Sequence, residues 1–517
     1  MRSRKPPESE PSTTTRADDG EQALGGSVGS RAASGVLWLT AQRWAVRISG
    51  FVTIAILTRF LSPADFGTVA AAMTVLPFFY LLSDLGFAAY IVQIRETSRR
   101  ILSTGFWFSS VAGLVLTAVM IAAAPLLGLV FRSETVVPVL QVLSVSILLT
   151  AIGSVPTALL RRRMSFRTLA VQGTVGAVAA QVVAVTMTLT GMGVWALVGQ
   201  TLTMQLFVSL LPWFSAKWRP TFDFSWRDFR GIAGFGGKVV GVEFIAATRA
   251  WAEAAIISAV LGMTGLGYLN IAQRLVQIVQ DLTGSAVVPV STVAFAKVRE
   301  SVDRLRGAYL RSLRLAYATL SPPLTLVAVA APIIIPIIFG EGWGPSEQVA
   351  QILALAGIMV VSATLDHGLF YGLGRPGRWF VYAVIVDAAT VAMTAVTAGF
   401  GLQAVAWGFL AVAVLSTMAR WFLVGRMLSA SPLRVAAPFG FLLVAVAVAG
   451  AAGWAVMSVT ASLPDLIRLV LVGLAVLGGS ILVLATIARP VLDDMRGLLT
   501  RSGLVQRILS RRTEADV

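Results

Sequence analysis

The chain contains no cysteine and a single histidine, His367. Disulfides, thiolate metal sites and thiol catalysis are therefore excluded. One histidine also makes a multi-histidine metal centre or a serine–histidine catalytic network hard to build. No metal or other cofactor is expected. Charge is scarce as well: 13% of the 517 residues are Asp, Glu, Lys or Arg, against about a quarter in a soluble domain. These charges cluster and leave long uncharged runs such as residues 101–131. Such a run exceeds the roughly 20 apolar residues that cross a bilayer.

What is present is hydrophobic: 56% of the chain. The pattern of apolar runs and breaks predicts an all-α polytopic membrane protein with about fourteen spanning helices. The expected spans are 35–59, 66–91, 104–130, 136–160, 168–191, 193–214, 231–260, 267–295, 309–339, 347–373, 379–399, 402–425, 435–459 and 465–488. Ser62-Pro63, Gly191 with Gly193, and Gly399 with Gly401 supply the punctuation between them. Residues 1–33 are polar and of mixed charge and read as a disordered cytoplasmic tail. Residues 489–517 carry Val491, Met495, Leu498 and Leu499 against an arginine-rich side and read as a cytoplasmic amphipathic tail.

The net charge of +16 could signal nucleic acid or membrane topology. The placement of the basic residues decides. Loops that follow odd-numbered spans hold only Arg59, Arg132 and Arg468, whereas the other loops and the two tails hold most of the 41 Lys and Arg residues. This asymmetry places both termini in the cytoplasm of a plasma-membrane protein and leaves no need for a nucleic-acid partner.

The chain repeats itself at a spacing of about 200–210 residues. Phe66-Gly67 recurs as Leu266-Gly267, and Ala123-Ala124-Pro125 leading to Phe131 recurs as Ala330-Ala331-Pro332 leading to Phe339. Val139-x-Gln141-Val142-Leu143 recurs as Val349-x-Gln351-Ile352-Leu353, and Gly193-x-x-Ala196-Leu197 as Gly401-x-x-Ala404-Val405. A repeat of six spans preserves orientation, so the expected plan is two parallel six-helix lobes plus two C-terminal helices. The N-lobe covers 34–214, an aromatic and basic interfacial connector 215–230, the C-lobe 231–428, and the last two helices 435–488. Pro125, Pro156, Pro332 and Pro336 fall inside spans, where they permit bends.

A charge at mid-bilayer costs at least about 2.5–3.5 kcal/mol on insertion scales, so each embedded ionisable residue needs a partner or a wet cavity. Arg43 and Arg47 lie one turn apart in the first span, and Asp84 in the second is a candidate partner. Two arginines to one carboxylate leave positive charge for an anionic ligand. Lys238, Arg249 and Glu253 fall within about 60° on one helix face. Arg249 and Glu253 are also spaced to pair with each other. Asn270, Gln273, Arg274, Gln277, Gln280 and Asp281 form a polar stripe too hydrophilic for lipid, suited either to sugars or to interhelical hydrogen bonds. Asp366, His367 and Asp387 are further buried candidates, and His367 is the type of residue that couples transport to protons.

Several segments resemble the polysaccharide flippases of the multidrug/oligosaccharidyl-lipid/polysaccharide exporter superfamily. They are residues 58–67 with the core Leu61-Ser62-Pro63-Ala64-Asp65-Phe66-Gly67, Ser83-Asp84-Leu85-Gly86-Phe87, and Leu160-Arg161-Arg162-Arg163-Met164-Ser165-Phe166-Arg167. Gly267-Tyr268-x-x-x-Ala272-Gln273-Arg274 and Phe339-Gly340-x-x-Trp343 add to them, and the likeness extends over residues 34–425. The resemblance implies two lobes around a central cavity and alternating access. It implies a polyprenyl-pyrophosphate-linked oligosaccharide as cargo, moved from the inner to the outer leaflet among membrane lipids. Basic residues would face the pyrophosphate, with Arg43, Arg47, Arg249 and Arg274 the matches by position. It also leaves room for polysaccharide polymerase machinery as a partner. A drug exporter of the same superfamily is the near alternative; a membrane polymerase or ligase is disfavoured by external loops as short as Gly262 to Gly265.

Overall fold

The computed structural model describes Val46, residues 49–94, 97–284, Phe295, Val298, residues 300–486, Arg489 and Val491; of residues 228, 231–242 and 282–284 it describes the backbone only. The predicted tails therefore lie outside the described residues apart from Arg489 and Val491, as do Arg43 and Arg47 and the side chain of Lys238.

Among the described residues, twelve helices are long and apolar enough to cross a membrane. The difference from fourteen has two sources. The first predicted span is described only from Val46 onward, with α1 over residues 49–57. The seventh and eighth spans join in one long helix, α9 (Trp226–Gly284), broken at Gly262 with φ 73° and ψ 176°. A straight 59-residue helix would be about 90 Å long at 1.5 Å per residue. Gly262 instead folds the chain back, so that Ala250 and Asn270, one on each arm, line the same cavities. Only glycine adopts that backbone conformation without strain.

The second predicted span also divides. It forms α2 (Pro63–Asp84) and α3 (Phe87–Gln93), with Leu85 (φ 43°) and Gly86 (φ 74°) left-handed between them. Asp84 caps the second piece, accepting the Ala88 N–H at 3.2 Å and the Ser154 hydroxyl.

The start of α2 explains the most specific segment of the sequence. Ser62 Oγ accepts from the Asp65 N–H at 3.3 Å, and Asp65 accepts from the Ser62 N–H at 2.9 Å. This is a reciprocal cap, with Pro63 pre-set for the first helical turn. Leu61 and Phe66 flank the cap and are both buried in the main core, the arrangement of a hydrophobic staple.

The remaining helices are α4 (Arg99–Phe131), α5 (Val136–Leu143), α6 (Val145–Arg162), α7 (Phe166–Leu189) and α8 (Trp195–Ala216). Beyond α9 come α10 (Val302–Phe339), α11 (Pro345–Gly372), α12 (Pro376–Thr397), α13 (Leu402–Met427), α14 (Pro432–Val459) and α15 (Asp465–Thr486). The internal prolines are accommodated within continuous helices: Pro125 in α4, Pro156 in α6, Pro332 and Pro336 in α10. The connector before α9 packs on the first lobe: Trp218 is buried with Leu102 and Phe106, and Trp107 donates to the Thr221 carbonyl at 2.8 Å. The final pair, α14 and α15, packs against α10.

The lobes meet where the repeat predicts equivalent residues. A Cβ on Gly67 would lie 1.8 Å from the Met263 carbonyl oxygen, and one on Gly267 would lie 1.9 Å from the Pro63 carbonyl oxygen. The repeat-matched glycines thus let α2 and the second arm of α9 cross backbone to backbone. Around this crossing Arg59 donates to the Ile337 carbonyl at 3.0 Å, and Arg132 to the Ala259 carbonyl at 3.2 Å. Arg59 and Ala259 occupy matching positions in the repeat, and each is joined to the other half of the chain by one of these bonds. Trp343, buried between Phe66 and Tyr268, donates to the Thr58 carbonyl at 3.0 Å.

Candidate functional site

Inward of this seal lie two cavities. One, of about 690 Å³, is walled by α9, α11, α12 and α13, with Ala70 and Thr74 from α2. The other, of about 630 Å³, is walled by α2, α7, α8 and α9. Ala70, Thr74, Ala250 and Asn270 line both, so the chambers share a partition made of α2 and both arms of α9. Either volume suits an organic ligand of drug-like size.

The second-lobe chamber gathers much of the predicted polar set. The Arg249 guanidinium lies 2.8 Å from the Glu253 carboxylate on its own helix and 3.1 Å from Asp387 on α12. Its side chain remains 37% exposed, so it is paired yet reachable from the cavity. Gln273, Gln277 and Gln280 face the same chamber from the returning arm of α9. Arg274 is one residue, or 100° of helix, from Gln273, and points into the first-lobe chamber with Gln181, Gln200 and Gln205. The polar stripe therefore serves two chambers, with amide groups able to bond hydroxyls on a glycan.

Other predicted residues fall elsewhere. Asp84 lines neither described cavity and is engaged with Ser154 and the start of α3. Asp281 also lines neither. Asp366 is buried, but His367 is exposed and packs against Tyr371 with the rings tilted and their centroids 4.3 Å apart. This corrects the expectation of a buried histidine, for a physical reason: adjacent helical residues diverge by about 100°, so one faces the core and its neighbour faces away.

Sequence reading overlooked Arg420. Only 3% exposed, it lies 3.0 Å from Asp366, donates to Tyr382 at 2.8 Å and to Thr417 at 2.7 Å, and reaches Ser362 at 3.0 Å. Tyr309 completes the group by donating to Asp366 at 2.5 Å. This network ties α10, α11, α12 and α13 together, and its Arg420 and Tyr382 themselves line the second-lobe chamber. The signal was available, since an arginine in mid-span demands a partner. Which of the embedded carboxylates would meet it was not, because Asp366 lies 54 residues away in sequence and on another helix.

Comparison with known proteins agrees with this architecture. A family model described as "Polysaccharide biosynthesis protein" matches residues 56–348. The chain belongs to that family. Among its relatives is the succinoglycan biosynthesis transport protein ExoT of Rhizobium meliloti, 29% identical, with 74% of this chain and 80% of the relative covered. Another is the lipopolysaccharide biosynthesis protein WzxC of Escherichia coli, 22% identical, covering 77% and 81%. The fold is that of the lipid II flippase MurJ in an inward closed conformation, with TM-score 0.70 and 13% identity over 87% of this chain and 99% of that one. An inward-facing multidrug resistance MATE transporter shares it at TM-score 0.61 and 16% identity over 76% and 96%. This family member is a multi-pass membrane transporter, not an enzyme, and its setting is polysaccharide biosynthesis.

Proposed function

We propose that the chain flips a polyprenyl-pyrophosphate-linked oligosaccharide from the inner to the outer leaflet by alternating access. The observation that carries this reading is the divided polar cavity with Arg249 reachable at its wall. Pyrophosphate is a bidentate anion suited to a guanidinium, and it would compete with Asp387 for Arg249. Because Arg249 stands on α9 and Asp387 on α12, cargo binding would loosen one tie inside the second lobe, which gives binding a route to the conformational change. The glutamines and Asn270 would serve the sugars, and Arg274 the anionic part that extends into the first chamber. Asp387 is the residue best placed for ion coupling, since it is accessible and partnered; Asp366 is held in a closed pair and His367 lies outside the cavity. Arg43 and Arg47 remain candidates from the sequence alone.

The charge asymmetry supports one orientation in the bilayer. With both termini in the cytoplasm, the loops bearing Arg59 and Arg132 are external, and the seal they form closes the outer face. The cargo delivered outside is what a polymerising enzyme consumes, which makes such an enzyme the expected neighbour.

A second reading, export of cationic drugs, draws support from Glu253 and Asp387 in the same chamber. Proteoliposomes separate the two. Flipping of a fluorescent lipid-linked oligosaccharide should occur with the unaltered protein, and Arg249→Ala should slow it by about tenfold or more, the worth of a charge-assisted hydrogen bond. Arg249→Lys should restore part of the rate. Movement of a drug cation without glycolipid flipping would refute the proposal.

A further inference from the structure

A third hollow lies outside the cavity, on the membrane face of the second lobe. It occupies about 860 Å³ between α12 and α13. Its walls are apolar and include Val381, Ile385, Leu415 and Phe422, each more than half exposed. On a membrane-spanning surface that exposure is to lipid. Arg378 and Arg426 stand at one end, where the two helices have their cytoplasmic ends under the charge asymmetry above.

Two features distinguish this groove from an ordinary gap. First, the helices converge at the opposite end: a Cβ on Gly408 would lie 2.8 Å from Met393 and 3.1 Å from Thr397. The pair is pinched outside and splayed inside. Second, Tyr382, Val386, Val412 and Ser416 line both the groove and the second-lobe chamber. These four side chains form a shared wall between the groove and the chamber. Tyr382 bolts the wall, donating to the Ser416 carbonyl at 3.3 Å while accepting from Arg420 at 2.8 Å. From Arg378 to Ala389 the groove rises about 16 Å at 1.5 Å per residue, half of a hydrocarbon core of about 30 Å.

We propose that the α12–α13 groove seats the polyprenyl chain of the substrate and that the Tyr382–Ser416 wall is the lateral portal to the cavity. This deepens the flippase reading and rests on it. Arg378 and Arg426 capture the phosphates at the inner headgroup level. The chain lies along the apolar walls, and the polar head passes the portal to reach Arg249. A two-part ligand, anionic at one end and apolar along its length, matches a groove with that same distribution. Continuity with the cavity favours the cargo over a bystander phospholipid.

The test is photolabelling of the full-length protein in phosphatidylcholine vesicles. The probe is a polyprenyl diphosphate carrying a diazirine in its chain, with labelled peptides mapped by mass spectrometry. Labels are expected on α12 and α13. Ile385→Trp, which fills the groove from a lipid-exposed position, should cut them about tenfold or more, and Arg378→Gln with Arg426→Gln should do likewise for the diphosphate but not for the uncharged polyprenol. Labels confined to other helices, or equal displacement by excess phosphatidylglycerol, would overturn the proposal, the latter by making the groove a phospholipid site. Flipping is measured in parallel. If the unaltered protein flips and Ile385→Trp flips as fast, the groove inference fails while the function stands. If the groove labels but nothing flips, the function fails instead.

Discussion

Gly67→Ala is the sharpest probe of the seal between the lobes. The added Cβ would lie 1.8 Å from the Met263 carbonyl oxygen and 2.7 Å from its carbon, both backbone atoms that cannot swing aside. Ordinary contact needs about 3.4 Å, so α2 and α9 would have to part by roughly 1.5 Å. The hydrogen bonds that surround the crossing, Arg59 to Ile337, Arg132 to Ala259 and Trp343 to Thr58, start at 3.0–3.2 Å and cannot stretch that far. Losing two of them removes about 3 kcal/mol, a shift of roughly a hundredfold or more in the equilibrium between sealed and opened outer face. The absence of native cysteine makes the assay clean: Thr74→Cys, which lines both chambers, is the sole target for a membrane-impermeant maleimide added outside. Thr74→Cys alone should label slowly, and Thr74→Cys with Gly67→Ala quickly. Equal labelling rates in a variant that still elutes as a folded protein would refute the reasoning, because the seal would then not depend on the close crossing.

Asp366→Asn should lower stability by about 3–5 kcal/mol, since it leaves the Arg420 charge buried without a counter-ion; the thermal unfolding midpoint in detergent reports it, and Asp366→Leu with Arg420→Met should recover much of the loss. Asp387→Asn should cost under about 1 kcal/mol, because its side chain is a quarter exposed, yet it should tighten binding of a polyprenyl diphosphate by freeing Arg249, as titration calorimetry would show. Gly262→Ala should destabilise the fold by about 1–3 kcal/mol, because φ 73° with ψ 176° is strained for any residue with a side chain; an unchanged midpoint would mean the reversal of α9 can be made another way.

Much of the architecture was legible because the bilayer makes it so. Apolar runs long enough to cross lipid must be helices. The break between the seventh and eighth spans was visible at Gly262 to Gly265, and the six-span repeat at Gly67 and Gly267. The Arg249–Glu253 pair was equally readable, being a contact within one helix at i and i+4. The division of α2 from α3 was less so, because nothing local announces that Leu85 will take φ 43°; the capping of α3 by Asp84 becomes apparent only when Ser154 arrives from α6.

The sequence by itself determined which segments are long and apolar enough to cross a membrane, and that charges embedded in them must be matched or wet. Those outcomes depend on composition, periodicity and spacing within one stretch of chain. Tertiary structure alone decided which charges meet: Arg249 with Asp387, Arg420 with Asp366 and Tyr309, each pair joined across helices. It also decided that two matched glycines touch, that the polar stripe divides between two chambers, and that α12 and α13 splay into a groove. Such pairings arise from how helices pack side by side, where a rotation of 100° exchanges the core for lipid, and no local pattern encodes that rotation.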